Sequence, residues 1–462
     1  MSLKLIAAAA LSSLALICGA GASAHAQQVQ AKQCLLQYES SSGNTRTNAI
    51  KLASERYNVF QGGGVTYHCE GQGNTLVADS AEYYGDNALL YMIGNVHYTE
   101  NRAKVDSERM TYYQLEDRLV AEGNVNVRTQ SGTTIKGPVI DYYRATSARP
   151  LARTVASQRP HMSIIQKPAA ADKQPGEPTE VDANTIVAEG DNLVYATGNV
   201  QIARPDLLAK SDSAFLDGTR EFARLMRTPS VENRGKGRPF TLTGGIIDLY
   251  SKNKLLERVV ATPTGHVLSQ DMELLADSVD LRVKDNQLQE VIAFGSKSRA
   301  KSLTPDREIT ADSIDAIMPA QRLREVRAIG KAFANSAPDT AHILSDVRDW
   351  MRGDSVIAEF DSAAAGDTTS RPKPKRIVAR GNASSYYQMA SSGGKTKAAP
   401  NVNYVRGRII TVLFVDKAVS TVDVTDKASG VYLEPVAPAT TPSTTRAAPG
   451  TTPPVNRPRK TP

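Results

Sequence analysis

One phrase recurs along most of this chain: Asp-Ser, an apolar pair, a short polar turn, then alternating apolar residues that end in Gly-Asn-Val. It leads from Asp79-Ser80 to Gly94-Asn95-Val96, from Asp106-Ser107 to Gly123-Asn124-Val125, and from Asp182-Ala183 to Gly198-Asn199-Val200. Looser copies lead from Asp277-Ser278 to Gly295, from Asp312-Ser313 to Gly330, and from Asp354-Ser355 to Gly381-Asn382-Ala383. A unit of this length repeated many times is one supersecondary element that buries its apolar face only by stacking on its neighbours. The chain is therefore expected to be a long β-structure with one continuous interior, and function is expected along that interior or at an end.

Aligned on the glycine, apolar residues fall four and two positions before it and usually two after it. The inward set this predicts is Leu90, Met92, Val96 and Tyr98, then Leu119, Ala121 and Val125, then Val194, Ala196, Val200 and Ile202, then Val291 and Ala293, then Val326 and Ala328. Alternation by two is a strand with one buried face. Asn95, Glu122, Asn124, Asn126, Asn199, Gln201 and Arg327 fall between them and should face water. The other half of each repeat alternates likewise, as in Met110 and Tyr112 or Val279 and Leu281. Gly85-Asp86-Asn87, Glu116-Asp117, Gly190-Asp191-Asn192 and Lys284-Asp285-Asn286 have hairpin-turn compositions. Short strands in succession predict an all-β fold and exclude an α/β enzyme architecture.

Two features of the phrase bear on function. Asp-Ser at the head of each copy predicts a capped turn at a corner between sheets. Calcium binding is the alternative, although the glycine-rich nonapeptide that accompanies it is missing. Glycine at an inward mid-strand position predicts either a sharp bend or space for a guest beside the backbone.

Residues 1–26 have the form of an export signal: Lys4, an Ala/Leu-rich stretch from Leu5 to Gly21, then Ala24-His25-Ala26 as a small-x-small cleavage site, with cleavage after Ala26. A membrane-anchoring helix and a lipoprotein signal through Cys18 are the weaker readings. Cleavage leaves Cys34 and Cys69, and two cysteines in an exported chain point to one disulfide. Zinc at His68-Cys69 would need two further ligands at suitable spacing, and no metal or cofactor is expected. The expected division is an N-terminal β region over 27–166, a linker or long loop over 167–180 and a second β region over 181–335. An irregular insertion follows over 336–353, then a C-terminal β region with loop insertions over 354–434 and a Pro/Thr-rich disordered tail over 435–462. Ile343, Val347 and Trp350 have helix-compatible spacing, so a short helix or cap is expected within 336–352. The formal charge of +7 is mild and lies partly in the tail, at Arg446, Arg457, Arg459 and Lys460. It would suit an anionic lipid headgroup or simply solubility.

The motifs Ala78-Asp79-Ser80 with Ile93-Gly94-Asn95-Val96, Val105-Asp106-Ser107 with Glu122-Gly123-Asn124-Val125, and Thr197-Gly198-Asn199-Val200 resemble the OstA-like, or LptA-like, family of lipopolysaccharide transport. Ala276-Asp277-Ser278 and Ala311-Asp312-Ser313 match the first half of the pattern. The family comprises the periplasmic bridge protein LptA, its inner-membrane partner LptC and the N-terminal domain of LptD. The resemblance covers roughly 75–334, and more weakly 354–433. It implies an elongated, open V-shaped β-jellyroll of repeated antiparallel strands, here two or more units in tandem. It also implies a periplasmic, non-catalytic protein of outer-membrane assembly that binds acyl chains of lipopolysaccharide in the V. Its partners would be other jellyroll transport proteins, or further copies of itself, joined end to end. The chain is longer than a single-domain bridge protein and lacks the membrane barrel of LptD.

Three functions are distinguishable on these grounds. A carrier of lipopolysaccharide or another acylated lipid needs a dry continuous surface. A structural β-solenoid of the cell envelope needs the same strands with a filled core. An enzyme needs clustered carboxylates or a nucleophile beside a base. The acidic residues lie mostly in turns, and His68, His97, His161, His266 and His342 are scattered, so no catalytic residue is nominated. Nucleic acid is not an expected partner, because the basic residues are not interleaved with aromatics on one stripe.

Overall fold

The computed structural model describes residues 34–39, 45–165, 177–234, 239–253, 255–269, 272–285, 287–319, 322–338, 341–361, 372–390, 397–415 and 418–435. The expected signal (1–26), most of the 167–180 linker and nearly all of the 435–462 tail lie outside the described residues, as does most of the insertion at 363–375. Among the described residues there is no α-helix, and the paired strands run antiparallel. The protein is all-β, and the alternation that predicted this is visible strand by strand. Leu89–Thr99 buries Leu90, Met92, Val96 and Tyr98, and Leu193–Arg204 buries Val194, Ala196, Val200 and Ile202. Turns lie at 85–88, 114–117 and 190–192, where Gly, Asp, Asn and Glu had marked them.

The expected helix around 343–350 does not form. Ile343 makes an isolated bridge to Ala398, Val347 is exposed, and Trp350 belongs to the strand Asp349–Phe360, which begins inside the segment read as irregular. Cross-strand pairing overrides the spacing: Trp350 lies opposite Asn335 and Tyr386, and its ring lies 6.3 Å from Phe333 and 6.3 Å from Tyr386.

The chain divides into two compact units, Met1–Val125 with Val139–Thr154, and Asn126–Pro138 with Val155–Pro462. In the first unit Tyr57–Cys69, Thr75–Tyr84, Leu89–Thr99 and Ala103–Tyr113 pair in chain order. A disulfide joins Cys34 to Cys69. In the second unit the through-going strand Leu207–Asp217 pairs with two short strands, one along each half. From there the sheet runs on as two leaves. One leaf is Phe222–Met226, Ile246–Lys252, Leu255–Thr262, Ser278–Lys284, Gln287–Phe294 and Ser313–Ile317, paired in that order. The other is Ser230–Asn233, Phe240–Thr243, Gly265–Ser269, Glu273–Ala276, Ala300–Leu303 and Arg307–Ala311. Both leaves end on the single strand Glu325–Ser336.

The line between the leaves is where the repeated phrase sits. In Leu89–Thr99 the register against Ala103–Tyr113 slips between Ile93 and Val96, so Gly94 and Asn95 together oppose Glu108. The same two-against-one bulge occurs at Gly198-Asn199, Gly330-Lys331 and Gly381-Asn382. At these bulges, and at Gly123-Asn124, both residues have positive φ, 79° and 45° for Gly94 and Asn95 and 77° and 50° for Gly198 and Asn199. An extra residue in one strand bends it and increases its twist. Glycine and asparagine are the residues that enter the left-handed region most readily. The phrase is thus a crease, stamped at the same place in strand after strand.

Two expectations about the phrase are corrected here. In the first unit Asp-Ser does not cap a turn: Asp79-Ser80 lies within Thr75–Tyr84 and Asp106-Ser107 within Ala103–Tyr113, whereas Asp277, at the corner between Glu273–Ala276 and Ser278–Lys284, does cap the bend at 296–298. What matters is the acidic or amide side chain that packs against the glycine, from the preceding strand or from the corner between two short strands. It is Asp79 at Gly94, Glu108 at Gly123, Asn184 at Gly198, Asp312 at Gly330 and Asp354 at Gly381. Asn95 Nδ2 donates to Asp79 at 2.9 Å and Asn124 Nδ2 to Glu108 at 2.6 Å. Nor does the glycine line the interior. A Cβ on Gly94 would lie 3.0 Å from the Cβ of the exposed Asp79 and closer still to its carboxylate, on the solvent side. The bulge turns the glycine outward, so it makes a bend and not a niche for a guest.

Candidate functional site

The fifteen residues predicted to face inward are all buried. In the first unit Leu90, Met92, Val96, Tyr98, Leu119, Ala121 and Val125 are at most 2% exposed. In the second, Val194, Ala196, Val200, Ile202, Val291, Ala293, Val326 and Ala328 are at most 8% exposed. They are joined by residues that the alignment on glycine had passed over, notably Leu76, Val105 and Ile140 in the first unit and Ile186, Leu225, Leu242, Ile247 and Val267 in the second. Several of these lie in short strands with no Gly-Asn, and the alternation within each was the signal that could have found them. The interior of each unit is apolar, and the chain itself covers it.

At the margin of the first unit the apolar lining gives way to a buried polar cluster. Arg144, 8% exposed, reaches Glu100 through Nε at 3.3 Å, Asp117 through Nη1 at 3.2 Å and Gln72 through Nη2 at 2.7 Å. Tyr112 donates its hydroxyl to Asp117 at 2.9 Å and Tyr98 to Glu100 at 2.7 Å, and Tyr142 also donates to Glu100. Burial, and then the neighbouring carboxylates, push the hydroxyls of Tyr98, Tyr112 and Tyr142 well above the ordinary tyrosine range, so they remain donors. Burial acts to lower the Arg144 guanidinium, but Tyr98, Tyr112 and Glu100 outweigh it and hold the charge in place.

This cluster reports how the strands run. Tyr98 lies opposite Val105, and Tyr112 lies opposite Leu90, seven residues further along the same strand. A straight strand would separate those positions by about 23 Å at ~3.3 Å per residue. Both tyrosines nevertheless converge on the acidic partners of one arginine, and the rings of Tyr98 and Tyr142 are 6.2 Å apart. The strands fold back at the Gly94-Asn95 crease, and their far ends meet at the Arg144 cluster.

The margin of the second unit is different. There Leu207, Val231 and Phe240 from one side and Leu256, Val259, Leu281, Val283 and Leu288 from the other line an apolar recess of about 30 Å³, with Asp206 and Asn233 as its polar lining. A water needs roughly 10–15 Å³ of such space, so the recess has room for only about two, and it is a seam between the leaves and not a tunnel.

Outside the interior, three of the described histidines sit in pairs with carboxylates: His97 with Asp106 at 2.7 Å, His161 with Glu180 and Asp182 at 3.0 Å each, and His266 with Glu273 at 3.0 Å. His68 lies 3.2 Å from Gln37 Oε1. Among the described residues no group of three or more His, Cys, Asp or Glu could hold a metal ion, and no helix is long and apolar enough to cross a membrane. The outer face carries a ladder of rings, Tyr195 to Phe215 at 5.0 Å and Phe222 to Tyr250 at 5.3 Å, with Arg224 and Arg258 over the last two and paired to Asp248 and Asp280. No protein-family profile matches the chain, and a search of curated proteins finds no match.

Proposed function

We propose that this protein is an exported, periplasmic, non-catalytic carrier that takes acyl chains of lipopolysaccharide or a similar acylated lipid between its leaves on the way to the outer membrane. The observation that carries the reading is the apolar interior between creased leaves, reached at the margin of the second unit through an apolar seam. A guest enters by parting the leaves there, and each methylene then buried favours its retention by roughly 0.8 kcal/mol. With polar groups confined to the margins, a chain can slide along the apolar lining. End-to-end partnership with other jellyroll transport proteins or with a second copy fits the terminal strand Ser429–Leu433. That strand pairs on one side with Asn401–Val415, has no strand on its other side among the described residues, and exposes Val431, Tyr432 and Leu433.

The test is photo-crosslinking in the full chain. A benzophenone amino acid at Leu288 or Phe240 should give a light-dependent adduct with purified lipopolysaccharide, whereas one at the outward Tyr195 should not. A second reading has its own support: lining residues this completely buried already form a filled core, as a structural β-solenoid of the envelope requires. It predicts no adduct from any of the three positions, and that result would end the carrier proposal.

A further inference from the structure

We infer that the Arg144 cluster is a polar clasp that holds the two folded-back halves of the first unit shut, and that the Cys34–Cys69 disulfide keeps this clasp assembled. The partners come from segments far apart in sequence: Glu100 follows Leu89–Thr99, Asp117 precedes Arg118–Thr129, and Arg144 follows Thr134–Tyr143. Tyr98 and Tyr112 lie on opposite sides of the crease, so cutting the cluster separates the ends while leaving the fold line untouched. The disulfide lies directly against it. Cys69 Sγ accepts from Asn74 Nδ2 at 2.9 Å and lies 3.8 Å from Arg144 Nη1, and Gln114 Nε2 donates to the Cys34 carbonyl at 2.8 Å.

A buried arginine between two carboxylates contributes little net stability over an apolar replacement, but its geometry is all-or-none. Removing one partner leaves the others charged and uncompensated. The first unit is therefore expected to open as a discrete event that begins at the clasp. The margin of the second unit is lined mainly by leucine, valine and phenylalanine, and its one lining carboxylate, Asp206, pairs with Arg204 two residues away at 3.2 Å rather than with partners drawn from distant segments. Closure of the first unit stands whether or not the interior takes a guest. Its consequence, that a lipid passes the first unit only when the clasp is released, rests on the carrier reading.

Hydrogen exchange on the full chain tests the clasp without any lipid. Arg144→Met should accelerate exchange about tenfold or more at 98–100, 112–118 and 140–144 and leave the crease amides at 92–96 and 107–110 protected. The gentler pair Tyr98→Phe with Tyr142→Phe keeps the ring packing and should produce the same pattern more weakly, as should reduction of the disulfide. Unchanged exchange at the strand ends, or acceleration spread equally over ends and crease, would overturn the inference. A fluorescent fatty acid added to the same variants separates the two proposals. Uptake that rises with opening supports both, whereas local opening without uptake keeps the clasp and removes the carrier.

Discussion

The crease makes a quantitative claim at Gly94. Gly94→Ala places a methyl group at φ 79°, which costs an L-residue about 1–2 kcal/mol. The new Cβ also meets Asp79, whose own Cβ would be 3.0 Å away, so that side chain must leave and its 2.9 Å bond from Asn95 is lost. A hydrogen bond of this kind contributes about 1 kcal/mol net, so the whole penalty should be about 2–3 kcal/mol. In an Asp79→Ala background the carboxylate is gone and only the Cβ contact at 3.0 Å remains, so the same substitution should cost mainly the backbone strain, about 1–2 kcal/mol. Native-state hydrogen exchange of amides in Thr75–Tyr84 and Leu89–Thr99 gives the local free energies of all four proteins. A penalty below about 0.5 kcal/mol, the scatter of ordinary surface changes, would refute the reasoning. So would equal penalties in the two backgrounds.

Two further outcomes follow from burial and from a loop cap. Met92→Asp should destabilise the first unit by about 3–5 kcal/mol, because Met92 is 0% exposed and the carboxylate would have no partner; a melting temperature equal to wild type would contradict this. Asp277 accepts from the Ser298 hydroxyl at 2.6 Å and from the backbone amides of Lys297, of Ser298 at 3.1 Å and of Ser296 at 2.7 Å, which together hold its carboxyl well below the usual carboxylate range. Its folded pKa lies below the unfolded value of ~3.9, so the cap is complete above about pH 4 and is lost as pH falls through the folded value. Protection factors of the 296–298 amides should be constant from neutral pH to about pH 4, decline below it, and be absent throughout in Asp277→Ala; a wild-type loop indifferent to acid would count against the cap.

The alternation of Leu90, Met92, Val96 and Tyr98 is local, and so it was legible: a period of two marks a strand with one dry face wherever it occurs. The hairpin turns were legible for the same reason, since Gly, Asp and Asn act on their own backbone. The partner of each glycine was not. Asp79 lies fifteen residues before Gly94, and in the next copy the opposing side chain is Glu108, not the Asp106 that the repeat singles out. Only the register between strands decides which side chain faces a bulge. Trp350 shows the same limit from the other side, since its spacing with Ile343 and Val347 suits a helix until the flanking strands claim it. The Arg144 cluster gathers Gln72, Tyr98, Glu100, Tyr112, Asp117 and Tyr142 from positions with no common period, so no reading of local pattern could assemble it.

Since each Gly-Asn pair carries its own fold point and finds its stay on the adjacent strand, a bent strand needs nothing from copies further away. Hairpins can then be inserted or deleted whole, provided both halves of the bend go together, and the cross-section that remains is unaltered. Protein length in such an architecture is set by counting copies, while the width of the interior is set once, by the distance from the bend to the strand tips.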